Sequence, residues 1–493
     1  MDLGIIFWII TAVVAGIFFW ISYKVKDAAT TSFSAYSIGG GTMPMFLIFF
    51  SQFATIMGAG NFIGHAGYAY KIGITQLIFI AGEQGSKILF ALVFAGMAGR
   101  FTYNSMPEMI DDLITRDKIT RAMMGVLAAS IMIAWCGGQG KALGAVFQTF
   151  SGMDPTLIII IFSAIFIIYT VAGGIYSVVW TDFFQGLICL TFGVAFYIFA
   201  FSKINFNFST LAARLTAVGK GEMLTFQGFS TFDLINKFVT GLLGVLVAQQ
   251  YWQRCYATKD AKGARNGLLY SGIICIIMTM CTAIVGLIIM SMNQNLDANS
   301  AMPWFMLHVC PPIIACGVFM LILCAGMSSA DSNLNSAAVL IVNDLIRPFA
   351  PDKTDEQLVK LAKRVTVVVG VVACGSAIWA SSIIDLFSRA YSMAGSGLVP
   401  VLIIGLVWKE HRGRAEMSKK NSKVTAWGAR VGIVVGAVLS QLSFIPNATL
   451  VALAVSSACV IIVSMLTRNV KMDSRFVSEG DVNPLPKASE SNA

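Results

Sequence analysis

Apolar runs of roughly 20 residues, the length that crosses the hydrocarbon core of a bilayer, follow one another along almost the whole chain. About 13 of them can be counted, at 3–22, 45–68, 74–99, 122–149, 155–172, 177–201, 233–252, 265–291, 311–343, 365–383, 386–408, 424–443 and 449–467. Mean hydropathy is +0.76. Only 12% of residues are charged and 57% are hydrophobic, against about 25% charged in a soluble domain. The expected fold class is therefore an all-α polytopic membrane protein. One transmembrane domain is expected over 1–467, with no soluble domain of useful size. The loops around 100–121, 202–232 and 346–364 have room for a short surface helix each. From Lys471 the chain turns polar, so 468–493 is expected to be a disordered tail.

A net charge of +9 does not imply nucleic acid here, because the basic residues sort by side of the membrane. Alternate loops carry Lys24 and Lys26, then Arg100, Arg116, Lys118 and Arg121, then Arg254, Lys259, Lys262 and Arg265, and so on to the run from Lys409 to Lys423. The intervening loops are nearly bare, apart from Lys71 and the 202–232 segment. The positive-inside rule then puts the N-terminus outside and the C-terminus in the cytoplasm of a cell inner, or plasma, membrane. Met1-Asp-Leu-Gly has no basic region, so a cleaved signal peptide is not expected. The ten cysteines have no C-x-x-C pair and there are three histidines, which argues against a disulfide framework, a zinc site or haem. No cofactor is expected.

One stretch is too apolar for a soluble loop and too polar for a plain anchor: Leu321 to Leu345, centred on Cys324-Ala-Gly-Met-Ser-Ser-Ala-Asp-Ser-Asn-Leu-Asn-Ser336. On a helix, Ala325, Ser328, Ser329 and Ser332 fall at i, i+3, i+4 and i+7, a single face of small residues rich in hydroxyls. Such oxygens need partners in hydrocarbon, and an intramembrane acid such as Asp331 is rare unless it serves a site. A hard cation would use this face, so it reads as half of an ion site in a membrane transporter. Two spans are interrupted by small residues, the second at Ala54-Thr-Ile-Met-Gly-Ala-Gly-Asn61 and the seventh at Gly241 and Gly244. Broken helices five spans apart point to an inverted-repeat transporter whose site lies where they unwind.

Four ordered motifs now carry a family resemblance: Phe33-Ser-Ala-Tyr-Ser-Ile-Gly-Gly-Gly-Thr-Met-Pro44, Tyr169-Thr-Val-Ala-Gly-Gly-Ile-Tyr-Ser-Val-Val-Trp-Thr-Asp-Phe-Phe-Gln-Gly186, Ala248-Gln-Gln-Tyr-Trp-Gln-Arg-Cys-Tyr-Ala-Thr-Lys-Asp-Ala-Lys-Gly-Ala-Arg265 and Ser328-Ser-Ala-Asp-Ser-Asn-Leu-Asn-Ser336. Together they resemble the sodium:solute symporters, the family of bacterial proline, pantothenate, sialic acid and sugar–sodium cotransporters. Ile175 departs mildly from the signature in the second motif. The resemblance implies a leucine-transporter-type core of five plus five helices, here about 44–201 and 233–408, with one helix before it and two after. It implies sodium ligands at the carbonyls of Ala54, Met57 and Ala325 and the hydroxyls of Ser328 and Ser329. A possible second cation site falls on Asp182, Asp331 and Ser332, where Asp331 replaces a serine of the sialic acid branch. The other reading of these acids is that Asp182 caps a helix and Asp331 meets a nearby Lys or Arg.

For the solute, Ile56, Gly58 and Asn61 lie where the family contacts substrate, and Gln139 and Lys141 are candidates to face the cavity. Trp135 stands about where the sialic acid branch has an arginine, which disfavours sialic acid. Glu83 and Lys87, four apart on one helix, are read as pairing with each other, with a role for Glu83 at the solute as the alternative. His65 reads as a packing residue. The expected function is sodium-coupled symport of a small organic solute, an amino acid or monocarboxylate before a sugar or vitamin, by alternating access and as a monomer. A proton-coupled variant, a transporter-like sensor and a membrane enzyme are the alternatives. No nucleophile–base constellation supports the enzyme, and the tail supplies no signalling domain for the sensor.

Overall fold

The protein is described here from a computed structural model covering residues 3–29, 31–409 and 422–478. Among these residues every regular element is a helix, and β-type pairing is confined to three isolated bridges. The principal helices, in chain order, are α1 (Leu3–Ala29), α2 (Met45–Ile56), α3 (Ala59–Ile72), α4 (Gln76–Phe90), α5 (Lys118–Ser151), α6 (Pro155–Ser202) and α7 (Thr231–Leu246). They continue with α8 (Gln249–Ala257), α9 (Ala261–Met292), α10 (Pro312–Leu340), α11 (Asp355–Trp379), α12 (Ile383–Val407), α13 (Ala426–Leu439) and α14 (Ala448–Leu466). Ten helical stretches of the described residues are long and apolar enough to cross a bilayer. Three shorter apolar helices, Met45–Ile56, Pro155–Val171 and Ala426–Leu439, also fall where the sequence places spans. Short helices in the loops include Phe208–Ala217 within 202–232 and Met106–Ile110 within 100–121.

Start and stop signals are local. Asp117 caps α5 by accepting from Thr120 N at 2.9 Å, and the same carboxylate takes two bonds from Arg430, at 2.8 and 2.7 Å, tying α13 to this loop. Asp154 caps α6 just before Pro155, whose missing N–H costs nothing at a first helical position. Ser230 and Thr354 open α7 and α11 with capping boxes. Within α6 the chain turns sharply at Gly174 (φ 56°, ψ −170°), so one continuous element serves two spans. The exterior is apolar, with Trp379 89% and Leu466 78% exposed, as suits a surface that meets lipid rather than water.

Two successive sets of helices each begin with an interrupted one. The first break, at Met57–Gly58, lies inside the segment expected from the sequence. The second lies at Val247–Ala248, not at the glycines of the seventh span. Gly241 and Gly82 instead let α7 and α4 touch backbone to backbone: a Cβ on Gly241 would stand 2.7 Å from Glu83 N and Phe79 O, and one on Gly82 would strike Phe238 O. Small residues inside that helix therefore mark a close approach rather than an unwinding. α10 packs chiefly against α6 and α5 and lies at the centre of the molecule. Most of the polar tail, residues 479–493, lies outside the described residues. Its described beginning is tied back to the α5 approach, with Val477 bridged to Asp117 and Ser478 N donating to Arg116 O at 3.1 Å.

Gly241→Ala is expected to force α7 away from α4 and cost about 1–3 kcal/mol. The measurement is thermal unfolding of the purified protein in detergent; an unchanged midpoint would show that the two backbones have room to spare.

Candidate functional site

At the first break α2 stops at Ile56. Met57 (φ −74°, ψ 16°) and Gly58 (φ −42°, ψ 155°) form an extended link, and α3 starts at Ala59 without a side-chain cap. A helix end leaves carbonyls with no partner in their own helix, and in a membrane interior each must find one. Asn61 Nδ2 donates to Ile56 O at 2.8 Å, and Ser329 Oγ donates to Thr55 O at 2.6 Å. The carbonyls of Ala54 and Met57 accept no backbone N–H across the break among the described residues. On the other side of the link, Gln139 Oε1 receives Gly60 N at 2.9 Å.

The small face of α10 is what reaches this link. Ala325, Ser328, Ser329 and Ser332 are all buried. Glycine at position 58 lets the two elements close up, since a Cβ there would fall on Ser329 Oγ and within 2.7 Å of Gln139 Oε1, and both side chains would have to turn away. Ser328 Oγ donates to Asp182 Oδ1 at 2.5 Å and lies 3.5 Å from Thr55 Oγ1. Thr55 Oγ1 is also 3.0 Å from Ser332 Oγ. The hydroxyls at 328 and 329 thus point at the break, and not into lipid.

Next to them sits a residue that sequence reasoning counted only as a loop charge. Arg254, on α8, is fully buried. Its Nη2 donates to Thr55 Oγ1 at 2.7 Å, Ser332 Oγ at 3.0 Å and Ser51 O at 3.3 Å, and pairs with Asp182 Oδ2 at 3.4 Å. Its Nε donates to Ser51 Oγ at 3.1 Å, and Ser51 Oγ donates to Asp182 Oδ2 at 2.5 Å. Of the three residues suggested for a second cation, Asp182 and Ser332 therefore share a guanidinium. Asp331 makes no direct contact with the guanidinium but lies close enough to feel both charges. Its Oδ1 accepts from Ser332 N at 2.6 Å, and its carboxylate faces the Tyr169 hydroxyl, which is 2.8 Å from Thr181 Oγ1.

Removing one member of a buried pair strands the other charge, at a cost of about 3–5 kcal/mol. Arg254→Met is therefore expected to depress the unfolding midpoint sharply, and adding Asp182→Asn to recover much of the loss. Equal and additive effects in the two variants would show the ion pair to be unimportant.

Beside the link lies a small cavity, with open space of about 30 Å³. Six of the seven residues suggested for the solute line it: Ile56, Gly58, Asn61, Glu83, Trp135 and Gln139. Lys141 does not. It lines a separate cavity with Gln148 and Asp297, and its Nζ is 3.5 Å from Ala377 O, because the turn of helix after Gln139 carries it off the central face. The central cavity also takes in Thr55, Lys87, Gln250, Tyr251, Asn333, Phe387 and Tyr391. Gln250 and Tyr251 open the helix after the second break, so the Ala248-Gln-Gln-Tyr motif held the signal. Phe387 and Tyr391 are four apart on α12, a spacing that gives no hint of function.

Glu83 and Lys87 feel each other's charge but make no direct contact. Glu83 accepts from His65 Nε2 at 3.0 Å, Gln84 Nε2 at 3.0 Å and Tyr391 OH at 2.5 Å. Lys87 Nζ donates to Gln84 Oε1 at 2.6 Å. Two residues four apart share a helix face but not one direction, and three better-placed donors take the carboxylate first. His65 is buried and bonded at both ring nitrogens, with Gln76 Nε2 2.8 Å from Nδ1.

A buried polar cavity between two interrupted helices, enclosed by helices that meet lipid on their outer faces, defines a secondary transporter rather than an enzyme. Solved structures carry the same fold. One titled as a substrate-bound, outward-open Na+-coupled sialic acid symporter superposes with a TM-score of 0.78 at 21% identity, over 96% of this chain and 100% of that one. Mhp1, a nucleobase-cation-symport-1 family transporter, gives 0.56 at 17% identity, over 89% and 96%. The family model described as "Sodium:solute symporter family" matches residues 36–419, and the chain belongs to that family. It is a multi-pass membrane protein and a sodium-coupled solute symporter, with the all-α, five-plus-five inverted-repeat core the sequence led one to expect.

Curated relatives include the "Sodium/glucose cotransporter" of Vibrio parahaemolyticus, 24% identical over 465 residues, covering 87% of this chain and 82% of the relative. The "Osmoregulated proline transporter OpuE" of Bacillus subtilis is 25% identical over 431 residues, covering 85% and 84%. The "Sodium/sialic acid symporter SiaT" of Proteus mirabilis is 25% identical over 421 residues, covering 80% and 84%. Relatives this evenly distant, with solutes this different, do not fix the solute of this chain.

Proposed function

We propose that this protein couples inward sodium flow to uptake of a small organic solute, an amino acid or a monocarboxylate, by alternating access in the plasma membrane. The observation that carries the reading is the 2.6 Å contact of Ser329 Oγ with Thr55 O, which sets two hydroxyls against an unwound stretch of backbone. The sodium ligands are the carbonyls of Ala54, Met57 and Ala325 and the hydroxyls of Ser328 and Ser329. All are neutral oxygens, which replace the water around a monovalent ion and still let it leave. Ala54 and Met57 bring the carbonyls that lack backbone partners at the link; Ser328 and Ser329 give up their bonds to Asp182 and Thr55 when the ion enters. Exchanging those bonds for an ion shared by α2 and α10 favours one arrangement of the two helices over the other, the differential affinity that coupling requires. The N-terminus lies outside and the C-terminus in the cytoplasm, as the distribution of Lys and Arg implies. The transporter works as a monomer and needs no cofactor.

Ser328→Ala or Ser329→Ala is expected to raise the sodium concentration for half-maximal uptake in proteoliposomes, with little change in expression. Unchanged sodium dependence in both variants would remove the ligand assignment.

One observation favours a second reading, in which a proton accompanies or replaces sodium. Asp331 is a buried carboxylate beside Tyr169, one residue from Ser332 on α10 and close to the Asp182–Arg254 pair. Asp331→Asn is expected to alter the number of cations moved per solute, measured from reversal potentials. An unaltered ratio rules Asp331 out of coupling.

A further inference from the structure

The central cavity is unevenly furnished. Lys87 is 4% exposed and lines it, yet touches no carboxylate directly among the described residues, Glu83 acting on it only through space. Its hydrogen bond to Gln84 Oε1 leaves two of three ammonium protons for something else. The acid nearest in sequence, Glu83, is held by His65, Gln84 and Tyr391. Glu83 therefore acts on the Lys87 ammonium only through space, and a buried ammonium with no anion in direct contact leaves room for one to be brought in by a ligand.

The remaining polar atoms of the cavity have the opposite lack. Asn61 Oδ1, Gln250 Oε1 and Asn333 Oδ1 are buried acceptors with no donor among the described residues. The orientation of Asn61 is settled by its own Nδ2, which donates to Ile56 O. Gln139 and Trp135 are not available for recognition by hydrogen bonds. The amide of Gln139 is engaged at both ends, by Gly60 N and Trp135 O, and the indole N–H of Trp135 donates to Tyr391 OH at 2.6 Å. Those rings, with Phe387 and Tyr391, offer apolar walls.

We infer that Lys87 is the carboxylate anchor of the solute site, and that the solute is a small carboxylic acid carrying N–H or O–H donors beside its carboxylate. An α-amino acid matches these groups best: its carboxylate meets Lys87, and the three N–H donors of its ammonium number the same as the three amide oxygens, whereas an α-hydroxy acid brings one donor. A sugar supplies the donors but leaves the ammonium uncompensated. A quaternary amine supplies neither donors nor an anion. This deepens the uptake reading and rests on it, since it names the solute class of the same cavity.

The test uses the full chain purified in detergent, with thermal unfolding followed in sodium and in potassium. The probes are lactate, alanine and proline, their amides lactamide, alaninamide and prolinamide, and glucose and choline. At least one acid is expected to raise the midpoint in sodium while its amide does not. Lys87→Met should weaken that response roughly 30-fold or more in concentration, as loss of one partner of a buried charged contact does. Lys87→Arg should retain most of it. Stabilisation by sodium alone should survive in Lys87→Met, which shows that the variant is folded and its ion site intact. The inference is overturned if only glucose or choline responds, if no acid responds, or if Lys87→Met responds like the native protein. A response to acids that is as large in potassium as in sodium supports the anchor and instead contradicts the sodium-coupled reading, so the two fail separately.

Discussion

The interaction on which the molecule depends is the meeting of α10 with the unwound link at Met57–Gly58. A broken helix inside a bilayer is intolerable unless other groups take its orphaned carbonyls and amides. Here Ser329, Asn61 and Gln139 do so, from α10, α3 and α5, and each bond also fixes the position of the element that donates or receives it. The glycine at 58 serves this closure, because a side chain there would push the Ser329 hydroxyl off Thr55 O. Binding and architecture are not separable at this point. The groups that close the break are also the groups that hold α2, α3, α5 and α10 against one another.

A second layer of charge lies directly behind the first. Asp182 and Arg254 are both fully buried, and the pair is stitched to α2 through Ser51 and Thr55 and to α10 through Ser332. The guanidinium neutralises the acid while donating in several directions at once, something a planar fork does better than an ammonium. Four helices, α2, α6, α8 and α10, are thereby joined through one side chain. Ser328 bonds to the same carboxylate, so the inner ion face and the charged cluster share a residue.

Much of this was readable from the chain. Hydropathy alone sets the helical membrane class, because a 20-residue apolar run has few other fates. The i, i+3, i+4, i+7 serines were legible as one face, and Asn61, Gly58 and Gln139 as neighbours of a break, since those inferences depend only on helical period. What the sequence hid was direction and distance across the fold. Gly241 and Gly244 look like a place to unwind, yet they are where α7 leans on α4 and on Tyr391. Lys141 follows Gln139 by two residues, and half a turn of helix is enough to send it to another cavity. Glu83 and Lys87 have ideal spacing for a pair, and only the three-dimensional arrangement reveals that His65 and Tyr391 reach the carboxylate first. Arg254 sits in a segment rich in charge, where nothing local marks it as the one that turns inward.

The glycine contact between α4 and α7 has a mechanical consequence. One helix comes from the first set and the other from the second, and with no side chains between them their main chains have nothing soft to slide on. They are a weld, and any rocking of one half against the other must carry both together. The give has to come at seams lined by rotatable groups, above all where serine hydroxyls rest on the loosened turn beside Thr55. A molecule built this way combines, in one bundle, a joint of bare backbone and a joint of rotatable side chains.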